Sequence, residues 1–206
     1  MNLSDKETRV LGCLIEKEMT TPDYYPMTVN SLQAACNQKS NRAPVVDYSE
    51  SDVIRALDEL RAKGLARTVH GKGDRALKYR HVAGELLEVN ASQAALLAVL
   101  LLRGPQTVGE LRTRTGRYTE FANLEAVAAE LSAMETAEEP LVEMMGRRPG
   151  EKESRYRQLL GCLDDEAMIL QAEASDDDDR VAILEAELAA LRDRVARMES
   201  ELGLDP

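Results

Sequence analysis

The sequence predicts an α+β, mainly helical fold: two tandem winged helix-turn-helix domains followed by a C-terminal coiled-coil helix. The order helix, helix, helix, strand, strand occurs twice, and the strand "ALKYRHV" at 76–82 returns as "ESRYRQL" at 153–159, an offset of 77. A heptad pattern ends the chain, and 206 residues are enough for two small domains. We expect the domains over 1–86 and 87–162, an acidic linker over 163–180 and the coiled-coil helix over 181–203.

The first repeat is predicted from its caps and turns. Ser4 and Glu7 form a capping box for helix one, Thr28 caps a short second helix, and Ser49 caps a third that ends at Gly64. The segments "LARTVH" and "ALKYRH" flank "GKGDR", which is typical of a β-hairpin. The elements therefore follow the winged-helix order.

The second repeat has the same order. "SQAALLAVLLLRG" predicts its first helix, "TVGEL" at 107–111 matches "TVNSL" at 28–32, and "NLEAVAAEL" at 123–131 matches "DVIRALDEL" at 52–60. "LVEMMG" and "SRYRQLL" predict the second hairpin, so several matches in one order favour duplication of the fold. In the two wing strands, Tyr79 and Tyr156 should face inward, while the flanking Lys78, Arg80, Arg155 and Arg157 should face outward.

Three long segments carry a resemblance to a known family. "TTPDYYPMTVNSLQAACNQKSNR" (20–42), "RTRTGRYTEF" (112–121) and "RRPGEKESRYR" (147–157) resemble the YceH-like bacterial proteins of unknown function. The resemblance covers nearly the whole chain and implies two tandem winged helices. It implies no catalytic residues and no cofactor.

The C-terminal segment predicts a dimer seam. Apolar residues alternate by three and four, as in a coiled coil, at Val181, Leu184, Leu188, Leu191, Val195, Met198 and Leu202. In a parallel pair, Glu187 would face Arg192, and Arg194 would face Glu199, so a parallel homodimer is favoured. The alternative is an amphipathic helix folded back on its own chain.

The acidity of the chain lies almost entirely in this tail. Of the net charge of −11, residues 1–90 contribute 13 basic against 13 acidic side chains, residues 91–162 contribute 9 against 10, and residues 163–206 contribute 4 against 14. The two repeats are therefore nearly neutral, and nucleic-acid contact is not excluded for them.

Basic side chains concentrate in the wings. Residues 65–81 carry five basic side chains against one acidic, a net of +4, and residues 141–158 carry five against three, a net of +2. Arg112, Arg114 and Arg117 are predicted to form a basic loop before the third helix of the second repeat. The candidate phosphate contacts are Lys72, Arg75, Lys78, Arg80, Arg112, Arg114, Arg117, Arg147, Arg148, Arg155 and Arg157. The alternative is that charged wing edges serve solubility alone.

Two functions stay open. The first is a DNA-binding regulator whose wings contact the phosphate backbone, which is common for the winged-helix fold. The second is a protein-interaction module, which the acidic third helices favour, since "TEFANLEAVAAELSAM" contains no lysine or arginine that could read bases.

A polar loop motif, "CNQKSNR", has a role that the sequence leaves open. Its side chains could bind a partner or nucleic acid, or could fix the loop through hydrogen bonds to the backbone, and we favour the second interpretation for Asn37, Gln38, Lys39, Asn41 and Arg42.

We expect no enzyme, no cofactor and no metal site. "GKGDR" lacks the spacing of a phosphate loop, and His81 is predicted to pack in the core. Paired acids such as Glu16 and Glu18 are interpreted as solvated helix faces, and Cys13 and Cys36 as buried thiols. The sequence shows no apolar signal core and no membrane segment, so a cytoplasmic location is expected.

Overall fold

The fold is α+β in the computed structural model, which describes residues 1–70, 76–147, 153–161 and 169. Within these residues the helices are α1 (Asp5–Thr20), α2 (Val29–Cys36), α3 (Glu50–Ala62), α4 (Ala83–Leu86), α5 (Ala91–Arg103), α6 (Val108–Thr115) and α7 (Leu124–Glu135). The strands are β1 (Met27–Thr28), β2 (Ala66–Val69), β3 (Lys78–His81), β4 (Gln106–Thr107), β5 (Val142–Met144) and β6 (Arg155–Gln158). A 3-10 turn, Pro22–Tyr24, follows α1.

Two small antiparallel sheets have the same topology. Their strand orders are β1-β3-β2 and β4-β6-β5, so the second strand of each predicted hairpin is the central one. Tyr79 and Tyr156 are buried on these central strands, as predicted. The strands β1 and β4 were not predicted, because two residues are too few for an alternating pattern.

Helix starts follow the predicted caps. Ser4 and Glu7 form a capping box on α1, Thr28 caps α2, and Ser49 caps α3 together with Asp52. Gly64 follows α3 with a φ of +79°, a left-handed conformation that glycine adopts without strain. The second repeat uses the same chemistry, with side-chain caps at Asn90, Thr107 and Asn123.

The third helices of the two repeats correspond at a different offset from the one that the sequence match indicated. Their caps, Ser49 and Asn123, are 74 positions apart, and so are the buried pairs Val53 and Val127, and Leu57 and Leu131. The match of 123–131 to 52–60, an offset of 71, was therefore wrong by three residues. The sequence match aligned similar residue types, whereas the offset of 74 aligns the buried faces of α3 and α7.

Helices α1 and α5 pack against each other and join the repeats. Gly12 lies so close to α5 that a Cβ there would stand 2.9 Å from Leu102 Cγ. The buried hydrophobic residues of both repeats form one continuous cluster. The boundaries at residues 86 and 162 stay a prediction, as does the coiled-coil seam from Val181 to Leu202, which lies outside the described residues.

In the part of the chain that the structure describes, no helix is both long and apolar enough to cross a bilayer.

Candidate interaction surfaces

The outward face of α3 is acidic with an exposed apolar residue. Helical spacing brings Ser51, Ile54, Arg55, Asp58 and Ala62 onto one side, and Ile54 is 40% exposed. The helix Glu50–Ala62 carries four carboxylates against two arginines. One of the arginines, Arg61, is paired with Asp58 at 3.0 Å. Asp52 in turn pairs with Lys6 at 2.6 Å, so the face has only a small excess of negative charge beside the exposed Ile54.

The outward face of α7 has the same character. Helix Leu124–Glu135 contains three glutamates and no lysine or arginine. Leu124, at its first turn, is 46% exposed. In a winged helix this element would approach the major groove, where its carboxylates would meet phosphates without compensation.

A depression lies between α6 and α7. Its volume is about 560 Å³, and its lining residues are Gly109, Arg112, Thr113, Gly116, Glu120, Phe121 and Leu124. We call it the α6–α7 groove. Most of its lining residues belong to the segment 112–121, which carries part of the family resemblance. Gly109 of α6 and Leu124 of α7 complete the lining.

The outer face of the β2–β3 hairpin is basic. Arg67 stands directly opposite Arg80 in the β2–β3 register, and both reach Glu85, at 3.6 and 3.5 Å. Lys78 lies on the same face of β3 as Arg80, as the alternation predicted. Lys72 and Arg75 lie outside the described residues. Like charges opposite each other are unfavourable, and one shared carboxylate offsets part of that cost.

The positive charge of the β5–β6 hairpin is largely neutralised. Arg155 donates to Glu110 Oε2 at 2.7 Å, and its side chain is only 11% exposed. Arg157 forms an ion pair with Glu143 on the neighbouring strand. Arg155 alternates outward on β6, as predicted, but Glu110 from α6 covers its side chain. Arg147 is exposed after β5, and Arg148 lies outside the described residues.

Arg112 and Arg114 were predicted to lie in a loop and instead lie on α6. The threonines and glycine of "RTRTGR" favour turns, but the capping box of Thr107 and Glu110 starts a helix that continues to Thr115. Arg112 donates to Phe121 O at 3.5 Å and to Ala122 O at 3.3 Å. Burial lowers the pKa of Arg114 to about 10.

The polar loop motif is built around a buried arginine. Arg42 forms a bidentate pair with Glu16, Nη1 to Oε1 at 3.2 Å and Nη2 to Oε2 at 2.5 Å. It also donates to Ala35 O at 3.1 Å and to Gln38 Oε1 at 2.8 Å. Its N–H groups lie at the C-terminal end of α2. The backbone carbonyls of Ala35 and Cys36 have no partner within the helix there, so they can accept hydrogen bonds from a cationic side chain. Arg9 donates to Cys36 O at 3.3 Å in the same way.

The other members of the motif are placed by their own contacts. Asn37 accepts from the Tyr48 N–H at 2.8 Å and donates to Tyr48 O at 2.9 Å, which closes the loop. Asn41 has a φ of 57°, and its Oδ1 accepts from Arg103 at 2.7 Å. Lys39 is exposed. These contacts favour the structural interpretation of the motif.

The same cluster connects the two repeats. Tyr118 Oη donates to Glu16 Oε1 at 3.1 Å, and Arg117 Nη2 lies 3.8 Å from that oxygen. The interpretation of Glu16 as a solvated acid was wrong, since the residue is 1% exposed. Burial alone would raise the pKa of Glu16, but the hydrogen bond and charge of Arg42 outweigh burial and lower it. Neither sequence spacing nor periodicity could find this long-range pair.

The histidine and cysteine predictions hold where the structure describes them. His81 is buried, its Nε2 lies 2.8 Å from Glu18 Oε2, and its Nδ1 accepts from the Ala83 N–H. Burial lowers the pKa of His81. Cys13 and Cys36 are free and buried, whereas Cys162 lies outside the described part. Among the described residues, no group of three or more potential metal ligands is found.

Comparison with known proteins assigns the chain to a protein family. Residues 3–151 match the family described as "Protein of unknown function, DUF480". The chain belongs to this family. It is 55% identical over 158 residues to a UPF0502 protein of Geobacter metallireducens, covering 77% of this chain and 72% of that protein. It is 49% identical over 160 residues to a UPF0502 protein of Shewanella amazonensis, covering 76% of each.

Membership of the DUF480 family agrees with the resemblance to YceH-like bacterial proteins. The matched range includes both third helices and the α6–α7 groove, and it ends before β6. The family description assigns no activity, so function must be argued from the surfaces themselves.

Proposed function

We propose that this chain is a non-enzymatic, cytoplasmic interaction module of two tandem winged helices, which binds a partner protein through the outward faces of α3 and α7. Two three-stranded sheets with identical topology, each joined to three helices, support the winged-helix assignment. Winged helices are a scaffold for several functions, so the site decides which one applies.

The excess of carboxylates on α3 and α7, the third helices of the two repeats, is the main support for the proposal. In this fold they would approach DNA, yet α3 has four carboxylates against two arginines and α7 has three carboxylates and no cation. Each displays an exposed apolar side chain, Ile54 and Leu124. Carboxylates oppose a phosphate backbone, whereas an apolar centre with a charged rim is the usual anatomy of a protein interface.

Co-purification from the native cell tests the proposal. The tagged full-length protein, Ile54→Asp, Leu124→Asp and the wing control Arg67→Ala/Arg80→Ala are compared by quantitative mass spectrometry. We expect specific proteins that are enriched with the wild type and the control and that are lost with one or both helix-face variants. Enrichment that no helix-face variant changes would contradict docking through these faces.

DNA-backbone contact through the first wing is the second candidate. Arg67 and Arg80, opposite each other, share the single carboxylate of Glu85, which leaves net positive charge on that face. Fluorescence anisotropy of a random duplex at low and moderate salt tests it. We expect a steep salt dependence, and loss of binding in Arg67→Ala/Arg80→Ala, if this candidate is right. No binding at low salt would refute it.

A further inference from the structure

The outer face of the β2–β3 hairpin carries more positive charge than the neighbouring carboxylate neutralises. Arg67 and Arg80 stand opposite each other, and Glu85 forms an ion pair with both, at 3.6 and 3.5 Å. The two arginine side chains are still 60% and 38% exposed. Residues 65–81 have a net charge of +4, so one carboxylate leaves this face positive and accessible to solvent.

The β5–β6 hairpin, the counterpart in the second repeat, is not an equivalent surface. Arg155 donates to Glu110 at 2.7 Å, and Arg157 forms an ion pair with Glu143. Each of these arginines has a carboxylate of its own, whereas the two arginines of the β2–β3 hairpin share one. An acidic segment is therefore attracted more strongly to the β2–β3 hairpin.

The chain itself contains a segment of the opposite charge. Residues 163–206 carry 4 basic against 14 acidic side chains, and four aspartates follow one another at 176–179. We call residues 176–179 the aspartate run; it lies outside the described residues. Runs of like charge often serve as interaction segments, and the negative charge of this run matches the positive face of the hairpin.

The tail leaves the second repeat beside the first repeat. Leu3, just before α1, forms a parallel bridge with Gly161, the residue after which the tail begins. Lys63 Nζ donates to Asn2 O at 2.9 Å, and β2 begins three residues after Lys63, at Ala66. The start of the tail and the start of the β2–β3 hairpin are therefore connected through one short N-terminal segment.

The intervening chain is long enough for docking. The stretch 162–175 separates Gly161 from the aspartate run, and it can span up to about 45 Å at about 3.3 Å per residue. Arg67 lies four residues past Lys63, which is at most about 14 Å of chain. A short flexible linker also holds its end at an effective concentration of about millimolar, so that weak surface ion pairs can form within one chain.

We propose that the aspartate run docks on the outer face of the β2–β3 hairpin of its own chain, with its carboxylates next to the guanidinium groups of Arg67 and Arg80. The tail and any external polyanion are then alternative occupants of these two arginines. The docking surface is separate from α3 and α7, so this contact does not depend on the proposed binding of a partner protein.

Carbodiimide coupling in the full-length protein tests the contact, because it joins a carboxylate to an amine only when the two groups are adjacent. Arg67→Lys places an amine on the hairpin. Arg147→Lys, at an exposed arginine after β5, is the matched control, and Arg67→Lys/Arg80→Ala keeps the amine while removing one charge. Light and heavy-isotope-labelled protein are mixed, so that mass spectrometry of the digest separates links within one chain from links between chains.

We expect the aspartate run to couple to residue 67 within one chain at least about fivefold more than to residue 147. Arg80→Ala should lower the yield about twofold to fivefold, because one of the two attracting charges is lost. Salt at about 1 M, which shortens the screening length to about 3 Å, should lower the yield further. Coupling of residue 67 to Glu85, which lies 3.6 Å from Arg67 in the wild type, reports in every sample that the amine is reactive.

Three results would overturn the proposal. If residue 67 couples to Glu85 but not to the aspartate run, the tail does not dock on this hairpin. If residues 67 and 147 couple equally, or if Arg80→Ala leaves the yield unchanged, the contact is not specific for this face. If links form only between light and heavy chains, the aspartate run does not dock on its own chain.

Discussion

Removing the Arg42 side chain is the sharpest test of how the two repeats are held together. In the wild type the Glu16 carboxylate is 1% exposed. Arg42→Met would leave it with the Tyr118 hydroxyl at 3.1 Å and with the amine of Lys17 and the guanidinium of Arg117 at 3.6 and 3.8 Å. Breaking a buried pair in this way costs about 3–5 kcal/mol of the free energy of unfolding. At about 2–4 °C per kcal/mol for a chain of this size, Tm should fall by roughly 6–20 °C.

The pH dependence of the loss follows from the pKa of Glu16. In the wild type, burial would raise this pKa, but the contacts with Arg42 outweigh burial and lower it. Ionised Glu16 therefore stabilises the fold at pH values above its unfolded pKa. This stability is lost as pH falls through the lower folded pKa. Without Arg42, burial raises the pKa. The variant is then most stable with Glu16 protonated and loses stability as pH rises through the raised pKa. The difference in free energy of unfolding between the wild type and the variant should therefore become smaller below about pH 5.

Urea unfolding at pH 7 and at pH 4.5 measures both effects. Lys39→Met, an exposed change in the same loop, is the matched control and should leave stability near that of the wild type. Glu16→Leu/Arg42→Met removes both charges and should recover a large part of the loss. A cost below about 1 kcal/mol at pH 7, or a double variant no more stable than Arg42→Met, would refute this reasoning.

Three further predictions concern other contacts. Tyr118→Phe removes the hydroxyl that donates to Glu16 and should lower the free energy of unfolding by about 1.5–3 kcal/mol in urea titration, whereas no change would mean that the hydrogen bond between the repeats is not stabilising. Gly161→Ala puts a Cβ 2.6 Å from Thr8 Oγ1 and 2.7 Å from Leu3 O and should cost about 1–3 kcal/mol, while Gly146→Ala, with nothing within 4 Å, should be neutral; equal melting of both would contradict the close contact. Leu188→Asp/Leu191→Asp should convert a dimer to a monomer in light scattering, and an unchanged mass would reject the predicted seam.

Local chemistry made much of the fold predictable. The caps at Ser4, Thr28 and Ser49 lie where the sequence indicated, since a cap needs only its own helix. Tyr79 and Tyr156 are buried because strand alternation is also a short-range pattern.

Long-range contacts explain what the sequence could not show. Glu16 looks like an ordinary surface acid until Arg42, 26 positions away, and Tyr118, 102 positions away, are brought to it. Arg155 alternates outward as predicted, but its exposure depends on Glu110 from another element. The α6–α7 groove likewise depends on the packing of two helices.

Site-specific photo-cross-linking in living cells tests most directly whether α3 docks a protein. A photoreactive amino acid replaces Ile54 in the full-length chain, and adducts are treated with nuclease or protease before electrophoresis. The account predicts a discrete adduct that resists nuclease, is removed by protease, and disappears when Asp58→Lys/Glu59→Lys reverses the charge of the same face. An adduct at Ile54 that nuclease removes, or a protein adduct that the charge reversal leaves unchanged, would contradict it.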